Sequence, residues 1–403
     1  MPSRGGKTIS RADAPTAALA LTRAWRISHP SPRQLLRFSW SRSGSLGLLA
    51  RVFEVGLRAS GARWPPGCVP SDGHPELDAW RILMKTMKAL RFETYGPPSV
   101  LSLQELSIPD LEPGQALVEV RASAVNPSDV KNVAGVFKAS LPRVPGRDYA
   151  GVVAVGEGWK GKEVWGSGAG FGVTHDGADA QYVVVDLNAL SEKPSQLSMA
   201  EASAVGVPYL TAWSALVDAA AIQAGETALI TGAMGGVGRA AIQIAHWKKA
   251  RVIGADRHDG PSDADAFVNL QSKDLLVEVK ALTDGRGVDL ALDTVGGPLF
   301  EPSLRSLRPG GRQVAIASVG NGRVEFNLVD FLHKSGRLIG LDTVKLTGAE
   351  IANIMDKLRA GFDDGHLRPS PVETWPLDRG VEVYAAVERG KTSSKQVLLP
   401  RNS

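Results

Sequence analysis

The chain has 403 residues, of which 43% are hydrophobic and 22% charged, and a net charge of +4. This composition is ordinary for a globular protein and excludes collagen-like, coiled-coil and wholly disordered chains, while no 18-residue apolar stretch free of charge marks a membrane span. The single cysteine, Cys68, excludes an intrachain disulfide framework and a Cys-rich zinc site, and points to a reducing compartment.

The charge is unevenly spread. Residues 1–83 carry eleven Arg and one Lys against five acids, so the remaining 320 residues are net negative. That counts against nucleic-acid binding by the main body. The leader is rich in Arg, Ser, Ala and Pro. It reads as a mis-called start ahead of translation at Met84 or Met87, which implies a cytoplasmic protein, or as an organellar transit peptide. In either case 1–83 is expected to be disordered and is set apart from the fold.

From Met84 onward the first elements read as β. Lys88 to Phe92 and Ala116 to Ala122 alternate, with Gly-Pro-Pro and Glu-Pro-Gly as punctuation; Val152 to Val155 and Tyr182 to Val185 follow. The character changes near Pro208. Leu210 to Ala221 reads as a helix, Thr227 to Thr231 as a strand, Val237 to Lys248 as a helix and Arg251 to Ala255 as a strand. Lys273 to Leu282 is helical, Val288 to Asp293 a strand, Leu299 to Leu307 a helix and Gln313 to Ala317 a strand. Ile351 to Ala360 is a further helix, and Gln396 to Leu399 a closing strand. Strands alternating with helices signal βαβ units around a parallel sheet.

Between the strand at 227 and the helix at 237 lies Thr231-Gly-Ala-Met-Gly-Gly-Val-Gly238, whose core is Ala233-x-Gly235-x-x-Gly238. Gly235 lets the backbone approach a pyrophosphate, Gly238 lets the helix pack on the strand, and free N–H groups at the helix start meet the anion. Met234, Gly236 and Val237 complete this lining. The next strand ends Asp256-Arg257. An acid there bonds the adenosine ribose and favours NADH; an Arg pairs with a 2′-phosphate and favours NADPH. Both are also compatible with a solvated loop.

Several further motifs join this turn. They are Asn126-Pro-Ser-Asp129, Pro145-Gly-Arg-Asp-Tyr-Ala-Gly151, Val155-Gly-Glu-Gly158, Tyr209-Leu-Thr-Ala-Trp213, Gly287-Val-Asp-Leu-Ala-Leu-Asp-Thr-Val-Gly-Gly297 and Leu307-Arg-Pro-Gly-Gly-Arg312. Together they resemble the zinc-independent, zeta-crystallin-like quinone oxidoreductase branch of the medium-chain dehydrogenase/reductase superfamily, over essentially all of 84–403. The resemblance implies an α/β fold: a GroES-like β domain from 84–207 and 340–403, and a doubly wound, parallel-sheet Rossmann domain at 208–339. The substrate would lie between them. Zinc-dependent relatives carry a Gly-His-Glu segment where this chain reads Gly146-Arg147-Asp148, so no metal is expected. Without a metal to polarise an alcohol, hydride transfer to a quinone or an activated enone is the implied reaction.

The resemblance places Asn126 and Asp129 near the nicotinamide and cleft; an Asx turn around Pro127 would explain Asp129 equally, whereas Asn126 is read as functional. Lys131 would hydrogen-bond a substrate oxygen or lie on a solvated face. Thr211 would contact the cofactor near the diphosphate or bond its own helix backbone. Thr294, Val295 and Gly296, then Ala317 and Ser318, end parallel strands where open α/β sheets bind ligands. Lys391 corresponds to a C-terminal cation that reaches the adenosine phosphate, and tips the expected cofactor from NADH toward NADPH. A homodimer acting on a small molecule is implied, with no nucleic acid and no membrane. The alternatives are a 2-enoyl-thioester or other alkene reductase, disfavoured by Phe137 where those enzymes carry a Tyr proton donor, and a low-turnover cofactor-bound sensor or RNA-binding protein.

Overall fold

Short alternating runs open the described chain. In this computed structural model, residues 86–257, 260, 262–390 and 392–401 are described. The expectations for the leader and for Lys391 fall outside them. β1 (Thr86–Arg91) and β2 (Ser102–Ser107) pair antiparallel. β3 (Gln115–Ala124) is followed by α1 (Pro127–Val133), whose first position is Pro127, where the missing N–H costs nothing. Then come β4 (Asp148–Val155), β5 (Glu163–Ser167), β6 (Tyr182–Asp186) and β7 (Ser191–Glu192).

α2 (Met199–Trp213) starts well before the helix expected from Leu210. Its start is fixed by a capping box: Ser198 Oγ accepts from the Glu201 N–H at 3.2 Å, and Glu201 accepts from the Ser198 N–H at 2.9 Å. Pro208 suggested a boundary, but the helix runs through it with a kink at Gly206, whose φ of −22° and ψ of −106° are non-helical. The kink relieves the clash and lost hydrogen bond that proline brings to a helix interior. The helix then continues as a π-helical stretch, Ser214–Ala219.

The next stretch is regular. β8 (Thr227–Thr231), α3 (Gly236–Trp247), β9 (Arg251–Asp256), β10 (Ala266–Asn269), α4 (Leu275–Leu282), β11 (Val288–Asp293), α5 (Phe300–Arg305), β12 (Leu307–Ala315), α6 (Leu328–His333) and β13 (Arg337–Gly340) follow one another. Leu307 opens β12 rather than closing the preceding helix, and that strand ends two residues before Ala317. The strands form a six-stranded sheet in the order β10-β9-β8-β11-β12-β13, parallel throughout. Every residue of β8 and β11 is buried, as expected for central strands covered on both faces. Among the described residues between β9 and β10 there is no helix.

α7 (Gly348–Asp363), β14 (Val372–Pro376), α8 (Gly380–Glu388) and β15 (Lys395–Leu399) complete the chain. β15 returns to lie antiparallel on β3, giving a second sheet ordered β14-β15-β3-β4-β5-β7, with β6 also paired to β3. The largest apolar cluster joins Ala150 and Trp165 of this sheet, Val205, Tyr209, Leu210 and Trp213 of α2, Leu216 of the π-helical stretch, and Ile230, Val252, Leu292 and Val314 of the parallel sheet. No helix among the described residues is long and apolar enough to cross a membrane.

Candidate active site

The turn after β8 is shaped by close approach. Gly232, with φ +62°, makes the left-handed step, and a Cβ there would stand 2.3 Å from Thr294 Oγ1. The step thus falls one residue before Ala233, which is buried and donates its N–H to the Ala255 carbonyl at 3.2 Å. A Cβ on Gly238 would stand 2.2 Å from the Gly232 carbonyl oxygen, so helix and turn pack backbone to backbone. Gly235 is the N-cap and has no side chain to cap with. The N–H groups of Gly236, Val237 and Gly238 find no acceptor among the described residues, and the helix macrodipole adds partial positive charge there. This cradle fits a diphosphate. Asp256 is buried and accepts from the Met234 N–H at 3.0 Å, so its carboxylate braces the turn; Arg257 is exposed.

The far ends of the neighbouring strands are held by one carboxylate. Asp293 Oδ1 accepts from Thr231 Oγ1 at 2.8 Å, from the Val295 N–H at 3.1 Å and from the Gly296 N–H at 2.9 Å. Thr294 Oγ1 in turn donates to the Thr231 carbonyl at 2.8 Å. Gly296 lies against Ala317 and Ser318: a Cβ there would stand 2.5 Å from the Ala317 carbonyl oxygen. The structure thus brings Gly232 to Gly238, Thr294 to Gly296 and Ala317 to Ser318 to one edge of the parallel sheet, the carboxyl end of its strands.

From that edge the path into the other sheet is short. Pro208 of α2 would lie 3.5 Å from a Cβ on Gly236. The next residue back, Val207, uses the N–H freed by the kink to donate to Asp148 Oδ1 at 2.9 Å. Asp148 is fully buried and also accepts from Ser167 Oγ at 2.5 Å and from Asn126 Nδ2 at 2.8 Å. Asn126 caps α1 reciprocally with Asp129: its N–H donates to Asp129 Oδ2 at 2.8 Å, and Nδ2 to the same oxygen at 3.0 Å. The Asn126 Oδ1 accepts from Lys395 Nζ. Thr211 lies one turn along α2 from Val207 and is nearly buried. Lys131 is exposed on α1 and is not brought into this group.

Three residues of the assembly were not proposed as site residues from sequence: Gly232, Asp148 and Lys395. Gly232 follows the strand directly, a local signal. Asp148 and Lys395 reach Asn126 from 22 and 269 positions away, so no spacing rule reveals them.

Burial and the nearby Asp148 carboxylate raise the Asp129 carboxyl from its ordinary 3.8 to about 7. The folded chain keeps this proton up to about pH 7, whereas the unfolded chain gives it up near 3.8. Folding therefore takes up a proton in that window, and stability falls as pH rises through it, by at most about 1.4 kcal/mol per pH unit. Asp129→Asn, which keeps an acceptor for the Asn126 N–H, is expected to flatten the slope between pH 4.5 and 7. Urea unfolding at several pH values measures it, and parallel slopes for variant and wild type would contradict the assignment.

Beside the diphosphate cradle lies a cleft of about 280 Å³, lined by Met234, Arg239, Gln243, Ser262, Asp263 and Arg368 among others. Its floor is ordered by a chain of bonds in which Gln243 Nε2 donates to Tyr209 Oη at 3.1 Å and the Arg368 N–H donates to Gln243 Oε1 at 2.7 Å.

Comparison with known proteins agrees with this geometry. Residues 112–195 match the alcohol dehydrogenase GroES-like domain and residues 236–359 the zinc-binding dehydrogenase domain. The chain belongs to the medium-chain dehydrogenase/reductase superfamily, in its quinone oxidoreductase branch, and is a nicotinamide-dependent oxidoreductase. It is 30% identical to the quinone oxidoreductase of Homo sapiens over 329 residues, which are 78% of this chain and 98% of that one. It is 36% identical over 309 residues to a zinc-type alcohol dehydrogenase-like protein of Schizosaccharomyces pombe, covering 74% of this chain and 93% of the relative. Among solved structures, an alcohol dehydrogenase superfamily protein from Novosphingobium aromaticivorans superposes with a TM-score of 0.69 at 29% identity, over 78% of this chain and 99% of the other.

Proposed function

We propose that the chain is an NAD(P)H-dependent reductase of quinones or activated enones. The observation that carries this reading is the contact of two sites through α2: the diphosphate cradle at Gly236 touches Pro208, and Val207 beside it is bonded to the Asp148–Asn126 group. Gly232 to Gly238 would hold the diphosphate, Thr294 to Gly296 with Ala317 and Ser318 would border the nicotinamide, and Asn126, Asp129 and Lys395 would form the polar floor. When bound, the cofactor supplies a hydride. The chain's own residues orient the acceptor and exclude water.

The donor set does not suit a zinc ion. Arg147 stands in the segment where zinc-dependent relatives resemble Gly-His-Glu, and a guanidinium has no lone pair to offer a metal. Among the described residues no group of three His, Cys, Asp or Glu is arranged to hold an ion. An acceptor that takes hydride without Lewis-acid help fits these residues best.

NADPH is the favoured cofactor. Asp256 is engaged by the Met234 N–H, while Arg257 stands exposed beside it. The exposed guanidinium suits a 2′-phosphate. Consumption of NADPH and of NADH with 1,4-naphthoquinone, by a chain beginning at Met84, tests both statements. Turnover with NADPH at a KM about tenfold below that for NADH is expected, and Arg257→Ala should raise only the NADPH KM. Preference for NADH would return the adenosine site to Asp256, and absence of turnover with either would remove the quinone reading.

A further inference from the structure

Arg147 precedes β4 and is 4% exposed. Its guanidinium carries five N–H donors. Among the described residues one acceptor meets them, Ser128 Oγ, at a long 3.4 Å, and no carboxylate forms an ion pair with it. The acids close by have other donors, although Asp129 Oδ1 is buried without one. Asp148 accepts from Asn126, Ser167 and Val207, Asp179 from Ser123 and Tyr384, and Asp129 from Asn126.

Gly168 has Arg147, Leu210 and Ile351 around it. A Cβ placed on Gly168 would stand 4.0 Å from Arg147 Nη2, 3.7 Å from Leu210 Cδ2 and 3.0 Å from Ile351 Cδ1. Leu210 adjoins Thr211 on α2, the helix that touches the diphosphate cradle through Pro208. Arg147 therefore lies near the Asn126–Asp129 segment and the helix that reaches the glycine turn, and none of its nitrogens is a fully buried atom without a partner, so the donors that meet no acceptor reach accessible space. Its charge acts on the Asp129 carboxyl, whose pKa it lowers, and the donors that reach accessible space are available to an incoming oxygen.

We infer that Arg147 is the catalytic residue that binds the acceptor's oxygen, donating N–H bonds to the negative charge that appears there. This rests on the quinone or enone reading above. The acceptor gains a hydride from the reduced cofactor, which leaves oxidised. The electron pair of the acceptor's conjugated C=O system moves onto oxygen, and a solvent proton completes the hydroxyl. A planar guanidinium offers two parallel donors to such an oxygen in a water-poor site, where charge stabilisation is strongest. The same geometry favours acceptors already anionic at oxygen over neutral ones of the same shape.

The test uses the full chain. Binding of 2-hydroxy-1,4-naphthoquinone, an anion at neutral pH, and of neutral 1,4-naphthoquinone is followed by tryptophan fluorescence without cofactor. The wild type is expected to bind the anion more tightly than the neutral compound. Arg147→Met should weaken the anion by about ten- to a hundredfold and leave the neutral compound within about twofold. The same variant should lower kcat with 1,4-naphthoquinone by about a hundredfold or more at unchanged cofactor affinity, with partial recovery in Arg147→Lys. The melting temperature should not fall, because no ion pair is broken. Equal binding of anion and neutral compound by the wild type overturns the inference even if the variants do not fold. So does an Arg147→Met enzyme that keeps its kcat. Wild-type protein that turns over no quinone at all would instead defeat the parent reading, which separates the two failures.

Discussion

Gly238→Ala is expected to lower cofactor affinity about a hundredfold, the scale set by a displacement near 1 Å of a binding element. The added Cβ would stand 2.2 Å from the Gly232 carbonyl oxygen and 2.7 Å from Ala233 Cα. Both are backbone atoms, so no side-chain rotation relieves the clash, and α3 must move away from β8. That movement opens the cradle of N–H groups at Gly236 to Gly238. Overpacking of this kind also costs about 1–3 kcal/mol of stability. Gly340→Ala is the control, since a Cβ there meets nothing within 4 Å and the residue has no left-handed φ. Fluorescence titration with NADPH and a thermal melt on both variants decide the matter. Equal affinities would mean that the turn does not hold the diphosphate.

Asp148→Ala should give the largest loss of stability. Asp148 is the fully buried acceptor for Asn126 Nδ2, Ser167 Oγ and the Val207 N–H, so its removal leaves three donors in a dry core. Unpaired buried donors of this kind cost about 1–3 kcal/mol each, and the sum is moderated by relaxation to about 3–5 kcal/mol. The melting temperature should fall by roughly 10 °C. Asp148→Asn keeps one acceptor oxygen but turns an amide N–H₂ toward other donors, so an intermediate melt is expected. A melt within 2 °C of wild type for Asp148→Ala, on a scale of about 2–4 °C per kcal/mol, would show that the three donors find other partners.

The sequence made the parallel sheet and its glycine turn legible because their signals are local. A fully apolar strand, a glycine turn and an amphipathic helix follow one another within about twenty residues, and β8 and β11 fall where the pattern put them. The start of α2 was hidden by Pro208, although the Ser198–Glu201 box was present to be read. The polar floor was less legible. Asn126 and Asp129 stood out through their motif, but their partners did not. Asp148 opens one strand, Arg147 reads from sequence only as the residue that replaces a zinc ligand, and Lys395 opens a strand near the chain end. Each gains meaning from contacts across the sheet, which sequence spacing does not encode. Lys131 was noticed for its nearness along the chain, yet the turn of α1 carries it to solvent.

α2 serves as core to both sheets at once. The apolar cluster it organises takes Trp165 and Ala150 from the antiparallel sheet and Ile230, Leu292 and Val314 from the parallel one. Each sheet also has an apolar cluster of its own, around Val118 and Tyr149 in one and Ile253 and Ala291 in the other, so α2 completes one face of each. A fragment ending before Met199 would expose the faces of β4 and β5, and one beginning at β8 would leave α3 without its neighbour. A break in α2 is therefore expected to be felt at the Asp148–Asn126 group and at the glycine turn alike, because both are bonded to or packed on it.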